Sequence, residues 1–517
     1  MFTNDFSQSQ VFFLTAGGIC FLISIVFHVR NKEVWAVAFL LAAALSVNLF
    51  ASLLDPFLNL WDERFHALVA KNLLYHPLKP TLYDDPVVSM AYDRWDRYHI
   101  WLHKQPLFLW QIAVSFKLFG VSEFTLRLPS AILGAFLVLI GYRSGSLLVS
   151  RNTGFITGTL LISSVYFLEL IAGRQEVDHN DVSFVVYISL SIWALIEYHY
   201  SGRRRWILLI GLFSGMAILC KWLAGLLVYA GWFILVLQER KLRFREFVPL
   251  LQALLVTVIV ALPWQVLTFV WYPEEARQAF DLNSRHIFQP VDGHRGDFWY
   301  HFNMTGLIYG KIPSYLIIPS VIILYFRMNT KKLYLPILLM IAGVYLFFSL
   351  ATTKMPSFVL IVSLLVFISL ASLIVGGLEL LRKIRMPTFL FSTLVFIVLL
   401  AIFIMRFDIE KIQFKHTLRN PENIETRWLT HNQQVFKTLQ LPANAVMFNV
   451  KGRHYIEAMF YTGLPAYNFI PSEEQYLDMK RKERIIAVFQ PEGSDLPGYL
   501  NNDASVIVLP DQLMGWD

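Results

Sequence analysis

The sequence predicts a mainly α, multi-pass membrane protein that carries a small α/β domain outside the bilayer. Three observations predict it. Apolar runs of about 20 residues, the length that crosses a hydrocarbon core, recur from the N-terminus to residue 405. The 517-residue chain is 56% hydrophobic and 16% charged, against roughly 25% charged for a soluble domain. From residue 406 onward the composition turns polar, with short β-like runs between helical stretches.

This composition excludes an ordinary cytosolic enzyme and excludes a disordered chain. The mean hydropathy of +0.52 points the same way. The 2 cysteines, Cys20 and Cys220, sit inside apolar runs, so no disulfide framework or cysteine-based zinc site is expected. The net charge of +7 comes mostly from short basic loops between apolar runs. That is how membrane topology is written, and no nucleic-acid partner is expected. The N-terminus lacks a basic leader and a small-residue cleavage site. Its first apolar run therefore reads as a retained helix.

Candidate spans are 11–28, 34–54, 128–149, 154–172, 182–200, 206–220, 222–238, 247–268, 305–326, 333–350, 356–377 and 388–405. A further run, Gln105 to Phe119, carries Gln111 and Lys117 and stops at Gly120. The basic loops decide its place. They hold Arg30 and Lys32; Arg143 and Arg151; Arg203 to Arg205; Arg240, Lys241, Arg243 and Arg245; Arg327, Lys331 and Lys332; and Arg382, Lys383 and Arg385. All fall on one side, the cytoplasmic one, only if 105–119 does not cross. It is therefore expected as a re-entrant or interfacial helix on the outer face. About twelve spans follow, with both termini outside.

The expected organisation is a transmembrane domain over 1–405 and an extracytoplasmic α/β domain over 406–517. The second is about 110 residues long, enough to bury a core of its own. Its β-like runs are Ala445 to Val450, Ile485 to Phe489 and Ser505 to Pro510. Outer loops 55–127, 173–181 and 269–304 lie in the first domain and carry the unusual charges.

Ionisable groups beside lipid are costly and need a reason. Asp62 and Glu63 open the first outer loop, and His103 and Lys104 close it. Glu176, Asp178, His179 and Asp181 fill a short outer turn. Lys221 interrupts an apolar hairpin, His286 and His294 lie in the loop 269–304, and Lys354 opens the span at 356. Singly, each has an ordinary explanation. Acids favour helix N-termini, and lysines at span ends snorkel. Together they form a ring of carboxylates, imidazoles and lysines at the outer boundary. Carboxylates serve as bases or metal ligands, histidines as ligands, and lysines as point charges for phosphate. A lipid-carried phosphate reaches that boundary from within the bilayer. Sugar or group transfer from such a lipid is the expected chemistry. A polytopic lipid or sugar transporter or flippase is the alternative, but it would place charges at mid-depth on broken, repeated helices.

Five stretches resemble the ArnT-type and protein-mannosyltransferase-like membrane glycosyltransferases, which have the GT-C fold. They are Leu60-Trp-Asp-Glu-Arg-Phe-His-Ala67; His103-Lys-Gln-Pro-Leu107 with Phe119 to Ser130; Lys221-Trp-Leu-Ala-Gly225; Arg285-His-Ile287 with His294 to Tyr300; and Phe347 to Phe358, which includes Thr-Thr-Lys-Met-Pro. The resemblance implies a polyprenyl-phosphate sugar as donor and a glycolipid such as lipid A, a glycan or a protein as acceptor. It implies inversion at the anomeric carbon and residence in a bacterial inner membrane with a periplasmic site.

Asp62 matches the family's catalytic aspartate, with Glu63 beside it. A second aspartate comes from Asp178 or Asp181. Lys104, Lys354 and Lys221 match lysines that meet the donor phosphate, with Arg285 and His294 as further candidates. His286 matches a metal-holding histidine, and the resemblance admits a divalent metal: zinc, magnesium or manganese. The chain departs from the pattern at His103, where a metal-binding glutamate is usual, and at Lys-Gln-Pro in place of Lys-Pro-Pro.

Overall fold

A computed structural model describes residues 6–88, 95–175, 179–238, 243–291, 293–383, 387–415, 423–510 and 512–515, without the side chains of 414 and 415. Among the residues named above, Glu176, Asp178, Arg240, Lys241 and Arg385 lie outside this set. The chain forms two compact units. The first comprises Met1–Leu54, Lys104–Phe108 and Arg127–Ile409, and the second Asp55–His103, Leu109–Leu126 and Glu410–Asp517.

The first unit is helical. Together with Glu123–Leu148, which begins in the second unit, and Thr388–Gln413, which ends there, the described residues hold 9 helical stretches long and apolar enough to cross a membrane. The others are Gln8–Val29, Glu33–Ser52, His179–Ser201, Arg205–Leu237, Phe244–Trp271, Lys331–Leu350 and Pro356–Arg382. The pair Arg151–Ile162 and Val165–Ile171, bent by 54°, makes up to 10. One expected span looks different in the structure. The run 305–326 is broken into Thr305–Tyr309, Lys311–Tyr315 and Ile317–Arg327, with Gly310 at φ 93° between the first two. The runs 206–220 and 222–238 form two arms, Arg205–Lys221 and Trp222–Leu237, and the chain doubles back between them. Ser214 Oγ donates to the Gly225 carbonyl at 2.7 Å, and a Cβ on Gly225 would lie 2.8 Å from the Ile218 nitrogen. Residues eleven apart in a straight helix would be about 16 Å apart.

Close helix packing holds this hairpin. In Gly211-Leu-Phe-Ser-Gly215 a Cβ on Gly211 would lie 2.3 Å from the Ala253 carbonyl, so the backbones of Arg205–Lys221 and Phe244–Trp271 touch. Thr257 then bonds the Gly211 carbonyl at 3.0 Å, and its hydroxyl meets Tyr229 Oη at 2.6 Å.

Broken helices release carbonyls that lipid cannot satisfy. Arg406, at the end of Thr388–Arg406, supplies donors to them. It bonds Ser163 Oγ at 3.2 Å, the Leu160 carbonyl at 3.4 Å and the Tyr309 carbonyl. It therefore serves both the bend at 163–164 and the break at Gly310.

The second unit holds a parallel sheet of β1 (Ala445–Phe448), β2 (Ile485–Phe489) and β3 (Ile507–Leu509) in that order. Ala445 pairs with Ile485, and Ala487 with Ile507. On its other side β1 is bonded by the segment 465–469, through a parallel bridge at Met447–Ala466 and the bond from Val450 N–H to the Tyr467 carbonyl. Every residue of β1 is buried, as the β-like text predicts. This unit also holds the helix Asp62–Asn72 and most of the helix Leu107–Phe119. The latter has 13 residues, about 20 Å, which is short of a bilayer core.

Candidate active site

In the first unit the site begins at the Lys221 turn. Helix Arg205–Lys221 ends because Trp222 takes φ 59°, ψ −158°, a conformation that glycine accepts and tryptophan rarely adopts. The turn fixes Lys221 at the apex. Its Nζ lies 2.5 Å from Asp181 Oδ1 and 5.2 Å over the Phe358 ring. Asp181 is in the first turn of His179–Ser201, where the helix dipole favours an acid. It is buried, and its Oδ2 has no hydrogen-bond partner. The start of that helix is fixed by His179 Nδ1, 2.9 Å from Ser130 Oγ. Trp222 packs edge-on to Phe280, with ring centroids 5.9 Å apart, so the turn also touches the helix Pro273–Phe288.

That helix carries Arg285, which is exposed, and His286. The chain after it is laced to 352–354. Thr352 and Thr353 donate their N–H groups to the Ile287 and His286 carbonyls at 3.0 and 3.1 Å. Thr353 Oγ1 donates to the Gln289 carbonyl at 2.9 Å and accepts from Val291 N–H at 3.2 Å. The Lys354 N–H reaches the His294 carbonyl at 3.4 Å. Lys354 is buried, and its Nζ donates to the Phe348 and Ser349 carbonyls at 2.8 and 2.6 Å. It therefore caps the C-terminal end of Tyr334–Leu350, a structural duty that the sequence pattern did not reveal. Burial lowers its affinity for a proton, and Asp297 opposes that shift.

Lys104 reaches the same neighbourhood. Beside it, Gln105 Oε1 accepts from Gln265 Nε2 at 2.7 Å. Burial first, then the charges of Lys104, Lys221 and His294, push the His286 imidazole down to about 4. Its Nδ1 is buried without a hydrogen-bond partner. Lys104, Asp181, Lys221, His286, His294 and Lys354 thus belong to one connected neighbourhood of the first unit.

The metal expectation meets this geometry directly. Among the described residues no group of three or more His, Cys, Asp or Glu side chains is arranged to hold a metal. Lys104 and Lys221 both act on His286, and lysine ammonium groups attract an anion. The lysines among these described residues suit a phosphate.

Below the lysines an apolar cavity of about 580 Å³ runs between the 222–237 arm and the helix Tyr334–Leu350. Leu223, Leu227, Phe233, Met340, Phe347 and Phe348 line it. Leu223 follows the Lys221 turn, and the Phe348 carbonyl holds Lys354 Nζ.

Asp62, Glu63 and His103 belong to the second unit. Trp61, at φ 66°, ψ −126°, sets the entry to Asp62–Asn72 and places Asp62 and Glu63 in its first turn, both buried. Glu63 accepts the Asn59 N–H at 2.6 Å and so ties down the approaching loop. Arg64 and Glu457 form a buried ion pair at 3.2 Å, and His454 Nδ1 lies 2.6 Å from Glu457. His103 stacks on Trp95 with centroids 4.5 Å apart. Sequence reading missed Arg64, Glu457 and Arg453. Their partners are far away along the chain, and no local pattern marks them.

Residues 103–266 match the family model described as dolichyl-phosphate-mannose-protein mannosyltransferase. A protein of Aquifex aeolicus with no assigned function is 30% identical over 187 residues, 35% of this chain and 34% of that one. An undecaprenyl phosphate-alpha-4-amino-4-deoxy-L-arabinose arabinosyl transferase of Pseudomonas aeruginosa is 28% identical over 48% of this chain and 46% of its own. Its counterpart 1 from Pseudomonas fluorescens is 26% identical over 76% and 68%. The chain thus spans about a third to a half of the length of the first two relatives, and about two thirds of the third. The crystal structure of ArnT from Cupriavidus metallidurans bound to undecaprenyl phosphate superposes with a TM-score of 0.62 at 15% identity, covering 87% of this chain and 89% of that one. The Archaeoglobus fulgidus oligosaccharyltransferase gives 0.54 at 12%, covering 84% and 64%. The matched segment and the shared fold agree: the chain is similar over residues 103–266 to the protein-mannosyltransferase family and has the fold of the ArnT structure.

Proposed function

We propose that the protein is an integral-membrane glycosyltransferase. It moves a sugar from a polyprenyl-phosphate donor to an extracytoplasmic acceptor and inverts the anomeric centre. One observation carries the reading: Lys221 and Lys354 border an apolar cavity, through Leu223 beside Lys221 and through the Phe348 carbonyl that holds Lys354 Nζ. A phosphate with a long isoprenoid tail has that polarity.

The chemistry follows from the residues. An acceptor hydroxyl attacks the anomeric carbon opposite the phosphate. The new C–O bond forms as the bond to the phosphate oxygen breaks, and the electron pair leaves on that oxygen. Lys104 and Lys221 stabilise the developing charge, and Lys354 adds to the positive field. Such preorganised donors are worth on the order of 10²–10³ each in rate. The acceptor proton passes to Asp62, the base that the family resemblance assigns. Asp181 holds Lys221 in place. The periplasmic side of a bacterial inner membrane is the location this chemistry requires, since lipid-linked sugars are used there.

Purified protein in detergent, given undecaprenyl-phosphate aminoarabinose or mannose, tests the reading. Release of undecaprenyl phosphate with the sugar moved to an acceptor or to water supports it. No turnover in detergent, with substrate movement across sealed vesicles, would favour a transporter.

A further inference from the structure

The second unit contains a cation–aromatic assembly that the donor chemistry leaves unused. Arg453 lies between two indoles, 5.1 Å from the Trp61 ring and 5.8 Å from the Trp95 ring. Its Nε is anchored on Asp96 Oδ2 at 3.1 Å, and Asp96 is buried. Its side chain is 26% exposed. Trp95 is buried, stacked on His103 and against Phe65. Trp61 is 47% exposed. The exposed indole is therefore backed by a guanidinium that is itself fixed from behind.

The backbone supports the same reading. Trp61 takes a left-handed conformation natural to glycine, and strain of this kind collects at functional sites. Trp61 immediately precedes Asp62. Arg453 has an independent reason to be where it is. In the parallel sheet the chain leaves β1, returns along its outer side as 465–469, and then crosses to β2 on the other side. The order reverses at β1, and open α/β sheets bind ligands at the carboxyl end of such a strand. The loop from Asn449 to His454 leaves that end. Positive φ at Asn449 and Gly452 makes it tight, and Asn449 Nδ2 ties it to the Phe489 carbonyl at 2.9 Å.

We propose that Trp61, backed by Arg453 and Trp95, is the acceptor subsite and that it takes the sugar ring of a carbohydrate acceptor. This rests on the transferase reading above, in which Asp62 receives the acceptor proton. The apolar C–H face of a pyranose lies on the Trp61 indole. The Arg453 Nη groups meet its hydroxyl or anionic edge. An exposed flat ring flanked by a planar fork of donors suits a sugar, whereas a peptide would be gripped through backbone hydrogen bonds.

The full-length protein in a sugar-free detergent is titrated with diacetylchitobiose and with its 1-phosphate, followed by saturation-transfer NMR. Both probes should bind. Trp61→Gly removes the indole but suits the backbone, so it should weaken both probes at least tenfold without lowering the melting temperature. Arg453→Met should weaken the phosphorylated probe about tenfold more than the neutral one. Failure of both probes to bind the wild type overturns the proposal. So does unchanged binding by Trp61→Gly, or displacement of the probes by a Ser/Thr-containing peptide. Release of sugar from the lipid donor into water, measured on the same preparation, tests the transferase reading separately. A protein that turns over donor but ignores both probes refutes the subsite alone.

Discussion

Replacing Lys221 with methionine removes the ammonium from Asp181 and leaves the hairpin otherwise apolar. At 2.5 Å the gross attraction is about 7 kcal/mol for an effective dielectric of 20. Desolvation of both groups cancels most of it. What the variant feels is a buried carboxylate that loses its cation while its second oxygen already lacks a partner. Breaking a fully buried pair costs about 3–5 kcal/mol. Lys221 is 24% exposed and Asp181 2%, so water screens part of the loss, and about 2–3 kcal/mol is expected. Asp181→Asn should cost less, about 1 kcal/mol, because a partly exposed lysine can turn toward solvent. The double variant should recover part of the loss, with a coupling of about 1–2 kcal/mol. Thermal melts of the four proteins in one detergent read this as a drop of about 4 °C or more for Lys221→Met, partly restored in the double variant. Purely additive shifts would refute the ion pair and with it the account of how Lys221 is held.

The remaining predictions concern the site and its surroundings. Asp62→Asn should keep the melting temperature within about 1 °C and abolish transfer to acceptor; retained turnover would remove Asp62 as the base. Gly296→Ala places a Cβ 2.6 Å from the Tyr300 ring and 3.0 Å from Lys354 Cγ, so it should raise the donor KM several-fold with little change for the acceptor. Equal effects on both would contradict a donor-side role for Lys354. His286 and His301 are both pushed down to about 4 by burial, with nearby lysines adding to the shift. The unfolded chain takes up their protons first, so their contribution is complete above about pH 6.5 and is lost as pH falls toward 4. Melting temperature against pH should decline through that window, and His286→Gln should flatten part of the slope.

Much of this was legible in the sequence, because hydropathy and turn signals are local. The apolar runs, the reversal at Lys221 and the three β-like runs all follow from near neighbours along the chain. The break at Gly310 was not legible. The run from 305 to 326 reads as one span although it holds Gly310, Lys311 and Pro313, and Arg406, distant in sequence, supplies a donor to the Tyr309 carbonyl at the break. Lys354 had two plausible roles, and the C-terminal carbonyls of Tyr334–Leu350 decide where its Nζ rests. The metal expectation on His286 and His103 came from family resemblance. It could not anticipate that His286 is largely buried, with Lys104 and Lys221 nearby. Arg453 carried no signal at all, because its partners Trp61, Trp95 and Asp96 belong to the opposite end of the chain.

The most direct test of the account is undecaprenyl-phosphate binding to the purified protein with and without Lys104 and Lys221. The account predicts that Lys104→Met and Lys221→Met each weaken it at least tenfold, that raised salt weakens it further, and that a chelator leaves it unchanged. Binding that survives both substitutions, or that disappears with chelator, would contradict the claim that lysine charge alone receives the donor phosphate.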